Sequence, residues 1–180
     1  MVAESRTDRG LISRMKRALR LEPQLYEEVE ADSGATGQAM LVVILVSVIA
    51  GIGFVSTGGV VGLLAGVGIQ LLGWALWAWL NYFIGAKLVP ESGTEANWGQ
   101  LARAMGFASS PRIFLLLTLI PVAFLQGLIG IVVNVWMWIA MVIAVRQALD
   151  YKSTLRAVGV TLLGFLINAV AISTVAILLD

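Results

Sequence analysis

The run "IFLLLTLIPVAFLQGLIGIVVNVWMWIAMVIAV", residues 113–145, carries no Asp, Glu, Lys or Arg. As one helix it would be about 50 Å long at 1.5 Å per residue, well beyond a hydrocarbon core of about 30 Å. It is therefore either one kinked helix or a tight hairpin of two. A hairpin would turn near Gln126-Gly127 or Gly130. Charge placement favours two helices, the first short and containing Pro121, with the break near Gln126-Gly127 or Gly130.

The rest of the chain has the same character. Of 180 residues, 59% are hydrophobic and only 13% are charged, and the mean hydropathy is +0.91. Soluble domains hold roughly 45–50% apolar residues and about a quarter charged ones, so this much apolar surface calls for lipid. Residues 39–86 and 157–179 are also free of Asp, Glu, Lys and Arg. The first apolar run starts only near Ala39, behind a long charged tail, so no cleaved signal peptide is expected.

Spans are expected at about 39–55, 60–86, 111–126, 129–146 and 157–179. The Gly-rich "STGG" at 56–59 reads as the first turn. Trp74, Trp77, Trp79, Tyr82 and Phe83 gather toward one end of the second span, as aromatic rings do at a headgroup interface. Arg6, Arg9, Arg14, Lys16, Arg17 and Arg20 precede the first span. Lys87, Arg103 and Arg112 lie in the 87–112 loop, and Arg146, Lys152 and Arg156 in the 146–157 loop. These are all twelve Lys and Arg residues of the chain. Five spans put every one of them on the same side, and the positive-inside rule makes that side cytoplasmic. The expected fold is thus an all-α, polytopic membrane bundle of five transmembrane helices, N-terminus in the cytoplasm and C-terminus outside. Residues 1–38 form a cytoplasmic tail and 39–180 the membrane domain.

Within the tail, "RGLISRMKRALRL" (9–21) places Leu11, Ile12, Met15 and Leu19 at helical spacing. Arg14, Lys16, Arg17 and Arg20 fall largely on the other side, a pattern suited to an anionic bilayer surface. A solvated tail helix is the plain alternative. An acidic linker follows. The segment "GTEANWGQLARAMGFASSPR" (93–112) has a stripe of Trp98, Leu101, Met105 and Ala108. It reads as a short interfacial helix with Thr94 as a possible N-cap, or as a plain connecting loop. Ser110 before Pro111 reads as the cap that opens the third span. Trp98, Arg103 and Arg112 are the expected anchors to the membrane surface or to a partner.

Much chemistry is excluded. The chain has no Cys and no His, which removes thiol nucleophiles, thiolate or imidazole metal sites and the usual near-neutral proton shuttle. No catalytic residue, metal or cofactor is expected, and no nucleic-acid partner. The apolar runs hold amides instead: Gln70, Asn81, Gln126, Asn134 and Asn168. Such residues are more often interhelical ties than transport sites, and Asn134 and Asn168 are taken as packing positions. Gly62 and Gly66, four apart on one helix face, would let another helix approach closely. That helix is either the chain's own or one of a second copy.

Three stretches resemble the Yip domain family of Ypt/Rab-interacting membrane proteins, in the form of its prokaryotic members: "LEPQLYEEVEADSGATGQA" (21–39), "GTEANWGQLARAMGFASSP" (93–111) and "ALDYKSTLRAV" (148–158). A cytoplasmic tail, five closely spaced spans and almost nothing after the last one resemble that family too. The resemblance implies a non-enzymatic membrane scaffold or adaptor. The Asp-Leu-x-Gly-Pro and Gly-x-x-x-Tyr-x-Leu signatures of its eukaryotic, Rab-contacting members are absent, so that role does not carry over. The expected function is a membrane adaptor or organiser working through its cytoplasmic surface in the cell (plasma or inner) membrane. Its partners would be the lipid bilayer, a cytoplasmic protein and possible further copies of itself. A small transporter or channel subunit lined by Asn81, Gln126 and Asn134 is the alternative, as is an accessory subunit of a larger membrane complex.

Overall fold

A computed structural model describes residues 9–179, and among them the chain is helical with no strand. Two short helices come first, α1 (Leu11–Leu19) and α2 (Pro23–Ala31). A single 3-10 turn leads into α3 (Thr36–Ile52), and α4 (Val55–Tyr82) runs back to end in a π-helical turn, Phe83–Leu88. Then come α5 (Trp98–Ala108), a 3-10 stretch Ser110–Leu119, α6 (Ala123–Ala148) and α7 (Thr154–Leu179).

Four segments among the described residues are long and apolar enough to cross a membrane: Ser33–Ile52, Gly58–Leu88, Ala123–Ala148 and Thr154–Thr174. Helices satisfy their own backbone hydrogen bonds, which is what lipid demands of anything that spans it. The chain is a membrane protein whose environment is the bilayer.

The 113–145 run is divided earlier than its glycines suggest. The break is at Ile120–Val122, and α6 continues unbroken through Gln126, Gly127 and Gly130. Proline decides this. It lacks an N–H and pushes the residue before it out of the helical region, and Ile120 is extended at φ −68°, ψ 118°. Gly127 and Gly130 keep their N–H groups and stay helical within α6. The first turn is also displaced from 56–59. The chain reverses around Gly53–Phe54, and Gly59 kinks α4 with φ 56°.

Helix α5 is the main departure from expectation. It does not present an open face but packs against α2, α3, α4 and α6. Leu101, Ala104, Met105, Phe107 and Ala108 are wholly buried. Its cap is Asn97, which accepts from Gln100 N at 3.1 Å while Gln100 Oε1 accepts from Asn97 N at 2.7 Å. This reciprocal pair satisfies two otherwise orphaned amides. Thr94 instead donates to the carbonyl of Leu149 at 2.9 Å. Ser110 makes no cap, because its hydroxyl donates back to the carbonyl of Phe107 at 2.6 Å.

Gly106 brings α5 close to α3. A Cβ there would stand 3.0 Å from that of Ala39. The following 3-10 stretch packs on α3 and α6, and Leu115 and Leu119 share a cavity wall with Ile49 and Gly53. From Trp98 to Leu119 the chain therefore runs beside α3 from its start to its end.

Candidate functional site: a fastened charged end and a polar cavity at mid-bundle

At the charged end of the bundle, the tail is tied down. Arg14 is only 1% exposed. Its guanidinium donates to Glu28 Oε1 (2.8 Å), Asp32 Oδ2 (2.6 Å) and Gln38 Oε1 (3.0 Å), joining α1 to α2 and to the start of α3. Arg17 pairs with Glu22 and Glu28. Arg14 and Arg17, expected at the lipid surface, are instead turned toward carboxylates of the chain itself. The physical reason is that the acidic linker folds back as α2 and supplies partners that helical spacing alone cannot reveal. Lys16 and Arg20 remain exposed, as does Ile12 at 69%.

Arg103 is likewise turned inward. It donates to the backbone carbonyls of Val29 (2.8 Å) and Glu30, the last carbonyls of α2, which have no partner within their own helix. It acts as a C-terminal cap between α5 and α2, while Trp98 stays exposed beside it. The charge of Arg103 also favours the ionised Glu30 carboxyl, but it is outweighed. Burial, with Asp150 and Glu27 nearby, pushes the carboxyl up to about 7. Asp32 moves the other way, because its hydrogen bond from Arg14 holds it below the usual carboxylate range.

The second region was not anticipated. Between α4, α6, α7 and the start of the 3-10 stretch is a cavity of about 320 Å³. Gln70 and Trp74 come from α4, Arg112 from the 3-10 stretch, Asn134 from α6 and Asn168 from α7. Trp77, Trp138 and Phe165 form an aromatic wall, their ring centroids 5.0–5.6 Å apart. The tilted and edge-on arrangement of these rings is the favourable one.

Arg112 was expected at the surface, opening a span. It is instead drawn inside, because α5 occupies the bundle and delivers it there. Its Nη1 donates to Gln70 Oε1 at 3.3 Å, and its Nε–H is buried without a partner. Among the described residues no carboxylate lies within ion-pairing distance of it. Two further lining atoms are buried and unpartnered, Trp74 Nε1 and Asn168 Oδ1. Asn134 donates to the carbonyl of Gly130 at 2.7 Å, within its own helix. Of the three amides expected along a pathway, Asn134 lines this cavity. Asn81 bonds the carbonyl of Trp77 (2.8 Å) and Gln126 that of Thr118 (2.9 Å), both outside it. The readable signal was one amide near the middle of each of three spans.

The glycine pair of α4 faces the chain's own α3. A methyl on Gly62 would run into the carbonyl oxygen of Phe54, and one on Gly66 would stand 2.7 Å from the Phe54 ring and 3.3 Å from Gly51 Cα.

The model of the Yip1 domain family matches residues 21–175. No curated protein and no solved structure matches the chain.

Proposed function

Because the chain belongs to the Yip1 domain family, we propose that it is a non-enzymatic, five-crossing adaptor or organiser of the cell (plasma or inner) membrane. Its third crossing is the whole of Trp98–Leu119. Eleven residues of α-helix and ten of 3-10 helix extend about 36 Å, enough for a hydrocarbon core of about 30 Å. That gives five crossings, with the N-terminus in the cytoplasm and the C-terminus outside, and leaves every Lys and Arg except Arg103 and Arg112, which lie within the third crossing, on the cytoplasmic side. The positive-inside rule favours that orientation.

The observation that carries the adaptor reading is the Arg14 tie. A tail anchored by four side-chain hydrogen bonds from one buried guanidinium is a preformed surface, and preformed surfaces avoid the ordering cost of binding. Ile12, Lys16, Arg20 and Trp98 are the exposed side chains on it. The test is photo-crosslinking in native membranes from residues 12, 16 and 20 in turn. The reading expects the same protein partner from these positions, weakened by Trp98→Ala. Partner recovery that is unchanged by Trp98→Ala, or no partner at all, contradicts it. A second reading, a small transporter or channel subunit, is favoured by the polar cavity at Arg112. Recovery of a whole integral complex in the same experiment would instead make the chain an accessory subunit.

A further inference from the structure

We infer that the cavity at Arg112 is a binding site for an anionic amphiphile: an acyl-chain molecule whose carboxylate or phosphate sits against the guanidinium. This stands apart from the adaptor reading and rests on different residues.

The argument begins with charge. A guanidinium stays protonated in any protein environment, and a charge among membrane helices is costly unless something neutralises it. Arg112 has one neutral partner, Gln70, and no carboxylate within ion-pairing distance among the described residues. The neutralising anion must then come from outside this set of side chains. The orphaned donors support the same conclusion. The unpartnered Nε–H of Arg112 and Nε1–H of Trp74 border the same cavity, and buried donors without acceptors are rare in native proteins. A two-oxygen anion accepts from several N–H groups at once, and guanidinium suits that geometry.

The apolar part of the ligand follows from the wall and the opening. Trp77, Trp138 and Phe165 offer a continuous aromatic surface beside the polar corner. Ile69, 43% exposed, and Asn134 belong both to the lining and to the outer surface of the bundle. The cavity therefore opens sideways, where lipid lies, and its volume is within the range of small-molecule sites. A molecule entering from the hydrocarbon brings its chain along the aromatic wall and its anionic end to Arg112. A fatty-acid carboxylate and an acidic-lipid phosphate share this chemistry.

The test uses the full chain, delipidated in a neutral detergent and followed by intrinsic tryptophan fluorescence during heating. Probes are laurate, phosphatidylglycerol, dodecanol, phosphatidylcholine and inorganic phosphate. The expected result is a saturable rise in the unfolding midpoint with laurate or with phosphatidylglycerol. Dodecanol, phosphatidylcholine and inorganic phosphate leave it unchanged. Whichever acid acts identifies the oxyanion. Arg112→Gln abolishes the rise. Trp74→Phe keeps an aromatic side chain and removes the donor, and it raises the half-saturating concentration about tenfold, the scale of one hydrogen bond to a charged group. If Arg112→Gln fails to fold, Trp74→Phe carries the test alone. The inference is overturned if neither acid shifts the wild type, if dodecanol or inorganic phosphate shifts it equally, or if Trp74→Phe binds as the wild type does.

Discussion

Arg112 donates through Nη1 to Gln70 Oε1 at 3.3 Å, linking the 3-10 stretch to the middle of α4. Gln70 is the only side chain seen to hold the guanidinium among the described residues. Gln70→Leu is expected to lower the unfolding free energy by about 1–3 kcal/mol, the cost of leaving a buried polar group unpaired. Gln70→Glu supplies a countercharge at the same place and should remain closer to wild type. Thermal unfolding of both variants in one detergent checks the order. Equal loss in the two would show that shape at position 70 matters rather than polarity.

The Arg14 tie makes a sharper contrast. Arg14→Leu leaves Glu28 and Asp32 without their buried partner. Both carboxylates are partly exposed and Glu28 keeps Arg17, so the loss should be about 1–3 kcal/mol, the scale of hydrogen bonds to a charged group. The loss should be accompanied by faster proteolysis within residues 9–38. Lys16→Ala, on the exposed side of the same helix, should change stability by less than about 0.5 kcal/mol. Limited proteolysis and thermal unfolding, run on both variants, separate a structural tie from a generic basic tail.

Glu30 predicts a pH dependence. Its carboxyl is raised in the folded protein from 4.5 to about 7, so the folded state holds a proton that the unfolded state has released within that window. Stability contributed by this group is present below about pH 4.5 and is lost as pH rises toward 7. Glu30→Gln should therefore be more stable than wild type at pH 8 and should flatten the profile between those values. Asp32 has the opposite sign. Its lowered carboxyl contributes stability above its ordinary range and loses it in stronger acid, a separate window. A thermal-unfolding series from pH 3 to 8 distinguishes the two, and an unchanged slope in the Glu30→Gln variant would contradict the assignment.

Two glycines of α4 should respond oppositely to the same change. Alanine at Gly62 meets the backbone of Phe54, which cannot rotate away, so Gly62→Ala should cost about 1–3 kcal/mol as overpacking does. A methyl at Gly68 meets nothing within 4 Å. Gly68→Ala should be neutral or gain up to about 1 kcal/mol of helix propensity. Unfolding in detergent provides the comparison.

The membrane class and the helical fold were legible because apolar length and charge segregation act without regard to tertiary contacts, and the family was legible through the resemblance of three stretches. The position of the break was not, since glycine and proline both signal turns but only Pro121 lacks an N–H and pushes the residue before it out of the helical region. The stripe Trp98, Leu101, Met105 and Ala108 identified an apolar face correctly. Periodicity does not say whether that face meets lipid or protein, and here most of it meets protein. Arg14 and Lys16 are two residues apart and look alike in sequence. Only the folding back of α2 makes one a tie and leaves the other exposed. Arg112 looked like a surface residue because it borders a polar loop. Its depth depends on α5 entering the bundle, which no local pattern encodes.

The central claim is that Trp98–Leu119 crosses the membrane as one unit and carries Arg112 inside. The chain has no cysteine of its own, so single cysteines at Ser92, Val122 and Ser153 can be tested in intact cells with a membrane-impermeant maleimide. The account predicts that Val122→Cys reacts from outside, while Ser92→Cys and Ser153→Cys react only after permeabilisation. Ser92→Cys and Val122→Cys reacting from the same side, with Ser153→Cys on the other, would contradict it.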